Sequence, residues 1–210
     1  STAPQWSVSI VLFNSPLAYL RRTLPSLVLS CSKAERDGHL GGMSVHIVDN
    51  TVDPEYRLQV ESLLENFSFA EFIDVDYSEL TVNRGFGAGN NYSISGLKSD
   101  FHLVLNPDVE LTETAISAAL YRLSENDDVV LLSPRVANEN GSQEFLCKRF
   151  PTVFVLLLRA FAPEGLRRGF QRRLDHYEMR DICSDNSVAD IDLASGCFMM
   201  MRTSVFQQTG

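Results

Sequence analysis

The sequence predicts an α/β fold, a mostly parallel central sheet with helices on both faces. Two observations carry this. Through the first two thirds of the chain, short apolar runs rich in β-branched residues alternate with stretches of helical periodicity. The residues with most chemistry to offer, Asn14, Asp49 and Asp108, each follow the end of such a run, where open α/β sheets bind ligands.

Taken in order, SVSIVLF (residues 7–13) is the first strand and ends at Asn14-Ser15-Pro16, a turn and helix start. Leu17, Leu20, Leu24, Leu27 and Val28 recur at helical spacing, and the polar stretch 32–42 reads as the closing loop. Residues 45–48 form a second strand, ending in Asp49-Asn50-Thr51, and Pro54 opens a helix with Leu58, Leu63 and Leu64 inward. A third strand is expected within 69–77, a short helix over about 87–97, and a fourth strand over 102–105. A fourth helix follows over 113–125, with Ile116, Leu120 and Leu123 buried, then a fifth strand over 129–132.

After Ser133 the alternation stops. Residues 135–150 read as a loop or hairpin around Asn140-Gly141, and 153–161 as a compact apolar helix trailed by Arg167, Arg168, Arg172 and Arg173. Residues 194–201 read as a further strand. The chain thus divides into a regular half, 1–133, and a less regular half, 134–210.

Composition narrows the function. With 210 residues, 44% apolar and 21% charged, the chain can bury a core. A net charge of −9 argues against a nucleic-acid surface, which needs a basic patch. No run reaches the roughly 20 apolar residues that span a bilayer. STAPQW at the start has neither a basic beginning nor an apolar core, so no signal peptide is expected. Cys31, Cys147, Cys183 and Cys197 show no C-x-x-C spacing, and the four histidines no paired pattern, so a zinc site is not expected. Reduced thiols suit a cytoplasmic location.

The most informative stretch is Leu105-Asn106-Pro107-Asp108, roughly 20 residues after the glycine-rich NRGFGAGNN of residues 83–91, the scale of one helix and one strand. A carboxylate and an amide at the mouth of a buried strand can hold a hard divalent cation through oxygen, and such cations bridge phosphates. Asn83, Arg84, the glycines and Asn90 offer backbone N–H groups and a cation to the same kind of anion. Together they point to a nucleotide diphosphate carrying another group. The rival reading, a dinucleotide fingerprint, fails on spacing: Gly85, Gly87 and Gly89 give G-x-G-x-G after the third strand, not G-x-G-x-x-G after the first. No G-K-[ST] occurs, which excludes a Walker-type phosphate loop.

These residues resemble the inverting nucleotide-sugar glycosyltransferases of the GT-A fold, glycosyltransferase family 2, and within it the rhamnosyltransferase-like branch. The resemblance rests on SIVLFN, IVDNT, NRGFGAGNN, LNPDV and ASGCFMMMR, in that order along nearly the whole chain. It implies metal-dependent transfer with inversion, from dTDP-rhamnose or, behind it, a UDP-sugar such as UDP-galactofuranose or UDP-N-acetylglucosamine. The implied acceptor is a saccharide or lipid-linked glycan of cell-surface polysaccharide synthesis. On the same resemblance Asn14 lies against the nucleotide, and Asp49 accepts the N3–H of a uracil or thymine. Asn83, Arg84, Gly85, Gly89 and Asn90 wrap the ribose and diphosphate. Asn106-Pro107-Asp108 replaces the family's D-x-D, with Asp108 as the carboxylate on Mg2+ or Mn2+. Ser195, Gly196 and Cys197 line the pocket for the sugar and the acceptor, with Asp192 at its edge. Residues 1–133 become the nucleotide-sugar-binding half, and 134–210 an incomplete acceptor-side half of the same domain.

Two departures stand out. Leu193 occupies the place where the family usually has a tryptophan. The family's catalytic base follows directly after a glycine such as Gly210, so the base is expected beyond Gly210, in a truncated chain.

Plainer readings exist for each feature. Asn-Pro-Asp is a common turn, and Asp49-Asn50 can be an Asx turn or a helix cap. The literal D-x-D of Asp190-Ile191-Asp192 reads as a solvated extended segment, and Cys197 as a structural thiol. The helix at 153–161 and its arginines can rest on a membrane near a lipid-linked acceptor, giving a peripheral location, although a buried helix before a solvated basic stretch is the commoner arrangement. The competing class is a non-catalytic nucleotide-binding module on the same scaffold.

Overall fold

The structure, a computed structural model of the chain, describes residues 3–94, 96–138, 140–145, 147–182 and 189–209. It divides into two compact units, Ser1–Leu132 with Gly196–Gly210, and Ser133–Ser195. Residues 196–210 of the expected second half belong to the first unit and supply a strand to its sheet.

The first unit runs β1 (Gln5–Leu12), α1 (Leu17–Arg36), β2 (Gly42–Asp49), α2 (Pro54–Glu65), β3 (Ile73–Glu79), α3 (Gly85–Ile94), β4 (Phe101–Leu105), α4 (Ala115–Glu125) and β5 (Leu131–Leu132). The second holds a hairpin, β6 (Val136–Ala137) and β7 (Gln143–Glu144), and three helices, α5 (Val153–Phe161), α6 (Glu164–Gly169) and α7 (Gln171–Tyr177). β8 (Phe198–Arg202) and α8 (Thr203–Thr209) then return to the first. The six-stranded sheet has the order β3-β2-β1-β4-β8-β5. Its first four strands are parallel, and β8 runs antiparallel to both β4 and β5.

Alternation along β1 explains the two layers of helices. Trp6, Val8, Ile10 and Leu12 point one way and join Leu103, Leu105 and Ile47 in the main core, against Leu20, Leu24 and Leu27 of α1 and Ile116 and Leu120 of α4. Each such side chain, fully buried, contributes roughly 1.5–3 kcal/mol. Val11 points the other way with Val48 and Leu80, on the face that α3 covers. Farther along this face Val104 and Met201 meet Phe206 of α8.

Some boundaries differ from the sequence expectation. α1 continues to Arg36, because the buried Cys31 and Ala34 extend its inner stripe with small residues that apolar periodicity does not register. α2 buries Val60 and Leu63 while Leu58 is 65% exposed, a correction to the expected inner face. β3 begins only at Ile73, and α3 already at Gly85. No helix among the described residues is long and apolar enough to cross a membrane. Cys31 is a buried free thiol, and burial pushes it up to about 12. Cys183 lies outside the described residues.

The α3 face of the sheet carries a buried polar chain. Ser7 Oγ and Ser9 Oγ flank the fully buried His102 ring, 2.7 Å from Nδ1 and 3.0 Å from Nε2. Ser9 Oγ donates to Asn90 Oδ1 at 2.6 Å, and Asn90 Nδ2 donates to the Phe86 carbonyl at 3.0 Å. With its hydroxyl proton spent on Asn90, Ser9 accepts from His102, so Nε2 carries the ring proton and Nδ1 accepts from Ser7. Burial, and secondarily the charge of His46, push His102 down to about 3, so the ring is neutral.

This has a consequence for stability. A histidine whose folded pKa is depressed leaves the unfolded chain as the stronger proton binder below its ordinary value of 6.5. Stability should therefore fall as pH drops from about 6.5 toward 3, by about 1.4 kcal/mol per pH unit from this group. Urea unfolding between pH 7 and pH 4 should show a steeper loss for the natural chain than for His102→Gln. Parallel curves would show that His102 does not titrate across the transition.

Candidate active site

The strand order reverses between β1 and β4, since successive connections lead from β1 outward to β3 and then back across to β4. Parallel sheets of this kind leave a crevice outside the carboxyl ends of the strands at such a switch point. A cavity of about 530 Å3 occupies it. Its walls come from three turns: Phe13 to Pro16 after β1, Asn83, Gly85 and Phe86 at the start of α3, and Asn106 to Asp108 after β4, with Val11, Tyr19 and Asn50 between them. The two motifs roughly 20 residues apart in sequence thus meet across one opening.

Each turn is held from beneath. Asn14 adopts a left-handed φ of 49°, which asparagine tolerates, and its N–H donates to Thr51 Oγ1 at 3.0 Å. Tyr56 Oη donates to the Ser15 carbonyl at 2.8 Å. Val52, beside Thr51, also has a positive φ of 57°, which for a β-branched residue stores strain of about 1–3 kcal/mol in this loop pair. Asn83 Oδ1 accepts from Gly85 N at 2.8 Å, and Gly85 has a φ of 81° that favours glycine. Asn50, 1% exposed, clamps the same turn from both sides: its Nδ2 donates to the Gly85 carbonyl at 3.1 Å and its Oδ1 accepts from Arg84 N at 3.3 Å. After β4, Asn106 N donates to the Cys197 carbonyl at 3.0 Å, while Thr23 Oγ1 of α1 donates to the Pro107 carbonyl at 2.7 Å. Ser26 and Ser30, one and two turns farther along α1, accept from Leu111 N and Ile116 N.

Of the residues expected from sequence, Asn14, Asn83, Gly85, Asn106 and Asp108 line the cavity. Arg84 is exposed on the same turn. Three others lie beneath. Asp49 is fully buried, accepting from Thr51 N and Tyr77 Oη, each at 2.8 Å. Burial and the Asp49 charge push the Tyr56 hydroxyl up to about 12 and the Tyr77 hydroxyl higher still. Gly89 is buried where α3 meets the sheet, and a Cβ there would stand 2.8 Å from Val11 Cγ1 and 2.9 Å from Asn50 Nδ2. Asn90 belongs to the His102 chain. Gly196 lies against the ring of Phe86, so that an added Cβ would stand 2.8 Å from Phe86 Cε1. Asp192 and Ser195 belong to the second unit, where Leu193 pairs with Lys148; Asp190 and Asp192 are exposed. Gly210 lies outside the described residues.

Sequence reasoning did not single out Asn50 and Thr23 as positioning residues. Asn50 carried a signal, its place after a buried strand, while Thr23 carried none. For a divalent cation, no group of three or more His, Cys, Asp or Glu lies among the described residues. Asp108 with the Asn106 amide fits a cation that keeps one carboxylate and takes its remaining ligands from water and substrate phosphates, as magnesium-type sites do.

The family model for glycosyl transferase family 2 matches residues 7–210. The chain belongs to glycosyltransferase family 2. This family 2 chain is 26% identical over 195 residues to the low-salt glycan biosynthesis hexosyltransferase Agl10 of Haloferax volcanii, covering 88% of its own length and 54% of the relative's. It spans about half the length of the curated relative it matches. Among solved structures it resembles S. aureus TarS 1–349 with a TM-score of 0.54 and 16% identity, over 97% of this chain and 48% of that one. It also resembles the mannosyltransferase PcManGT from Pyrobaculum calidifontis, solved with GDP-Man and Mn2+, with a TM-score of 0.50 and 16% identity, over 65% of this chain and 36% of that one. At that identity the likeness bears on the fold, which is GT-A.

Two substitutions probe this geometry. Thr23→Val keeps the shape but leaves the Pro107 carbonyl unpaired, and chemical denaturation should register a loss of about 1–2 kcal/mol. An unchanged midpoint would mean that the bond does not hold the turn. Gly196→Ala meets only the distal edge of the Phe86 ring, so it should cost less than about 1 kcal/mol while moving that ring. Any effect of Gly196→Ala on ligand affinity should then vanish in a Phe86→Ala background; additive effects would show the pair to be uncoupled.

Proposed function

We propose that this domain binds a nucleotide-diphospho-sugar and forms the donor site of an inverting glycosyltransferase. The observation that supports this most directly is the meeting of the glycine turn and the Asn106–Asp108 turn across one cavity at the switch point. The Asn83–Phe86 turn offers backbone N–H groups and the Arg84 guanidinium to a diphosphate. Phe13, Tyr19 and Phe86 give the cavity aromatic faces of the kind that nucleobases and sugar rings stack on. Asp108 and Asn106 would hold Mg2+ or Mn2+, which when bound offsets the charge that develops on the departing diphosphate.

Inversion requires a carboxylate to take the proton of the attacking hydroxyl. Asp108 is the one carboxylate among the residues lining the cavity. With Asp108 engaged by the cation, the base is a second carboxylate outside the residues that line this cavity. The donor is a pyrimidine nucleotide by the family resemblance, dTDP-rhamnose before a UDP-sugar, and the acceptor a saccharide or lipid-linked glycan. The Asp49 carboxylate is covered in this structure, so its contact with a pyrimidine N3–H is a matter for direct test.

Calorimetric titration with dTDP, UDP and GDP, each with and without Mn2+, decides the reading. The expected result is metal-dependent binding of dTDP or UDP that Asp108→Ala weakens at least about tenfold, with little change in the metal-free titration. Tighter binding of GDP would overturn the pyrimidine preference. Absence of binding to all three would overturn the donor site itself.

A further inference from the structure

Eight of the nine residues of helix α5 are apolar. Val155 and Leu158 are buried within the second unit, where α5 packs on α6 and α7. Val153, Leu156, Leu157, Ala160 and Phe161 follow the i, i+3, i+4, i+7, i+8 spacing of a single helix face. All five are exposed, Val153 at 74% and Phe161 at 81%. An exposed apolar stripe of this kind calls for an apolar partner or lipid, and nine residues, about 14 Å, are too few to cross a bilayer.

Charge is segregated around the same face. Residues 150–173 hold five arginines and one acidic residue, in a chain whose net charge is −9. Arg167 and Arg168 on α6 and Arg172 and Arg173 on α7 are all exposed. The Arg173 guanidinium stacks over the Phe154 ring at 5.2 Å, which ties the cationic helices to the apolar one. Exposed aliphatic and aromatic side chains beside arginines are the composition of a helix lying in the headgroup layer of an anionic bilayer.

We propose that α5, with the arginines of α6 and α7, docks the second unit on an anionic membrane surface. The apolar stripe enters the acyl boundary and the guanidinium groups meet lipid phosphates. None of the donor-site residues takes part, so this surface stands or falls separately from the donor reading.

The test is co-sedimentation of the chain with phosphatidylcholine vesicles, with and without phosphatidylglycerol. Partition should be at least about tenfold stronger with phosphatidylglycerol and should weaken as salt rises. Leu157→Ser with Phe161→Ser should abolish it, and Arg168→Glu with Arg172→Glu should weaken it at least about tenfold, both variants retaining the natural far-ultraviolet spectrum. Background sedimentation with both vesicles, or equal binding to both, overturns the proposal. So does a concentration-dependent dimer that Leu157→Ser with Phe161→Ser dissociates, since a second copy would then be the occupant.

Discussion

The first unit depends on the position of β1 between β2 and β4, paired in parallel with both. A strand in that place is covered on both faces, so every residue from Trp6 to Leu12 is buried. The same placement makes the carboxyl end of β1 the point where connections diverge. The cavity follows from it: Asn14 on one side, the β4 turn on the other, and the α3 turn above Val11. The site is thus a property of strand order before it is a property of any side chain.

Burial on both faces sets a demand that the sequence meets in two chemistries. Toward α1 and α4, β1 presents Trp6, Val8, Ile10 and Leu12 to an apolar core. Toward α3 it presents Ser7 and Ser9, whose hydroxyls need partners once removed from water. His102 supplies partners to both, and Asn90 extends the chain to the Phe86 carbonyl. The polar layer therefore couples the sheet interior to the turn that lines the cavity, and its members are fixed in tautomer and direction by one another.

Much of this was legible in the sequence because it is written in local signals. Strands ending in Asn14, Asp49 and Leu105 announced themselves through β-branched runs, and the turn glycine Gly85 through its motif. The residues that hold the turns were less legible. Thr23 is one polar residue within a helical stripe, and its bond to the Pro107 carbonyl joins positions 84 residues apart. The place of Asn90 in NRGFGAGNN did not reveal that α3 buries it, bonded to Ser9 and to the Phe86 carbonyl. Leu58 turned outward and Val60 inward because a helix face is fixed by tertiary packing, and an isolated leucine does not reveal which way it points. The return of β8 to the first sheet is a long-range pairing that no periodicity encodes.

Electrostatics joins the fold to the ligand chemistry. A chain of net charge −9 repels a nucleotide diphosphate at long range, and screening limits that repulsion to about 8 Å at physiological salt. Within that range the cavity is nearly neutral: asparagines, a serine, two prolines, glycine backbone and aromatic rings surround one carboxylate. A single carboxylate facing a dianionic group is repulsive unless a divalent cation stands between them, and with one it becomes a ligand. Under the proposed function, the lone Asp108 in an amide-lined cavity would suit an anion that arrives with its cation better than a bare one.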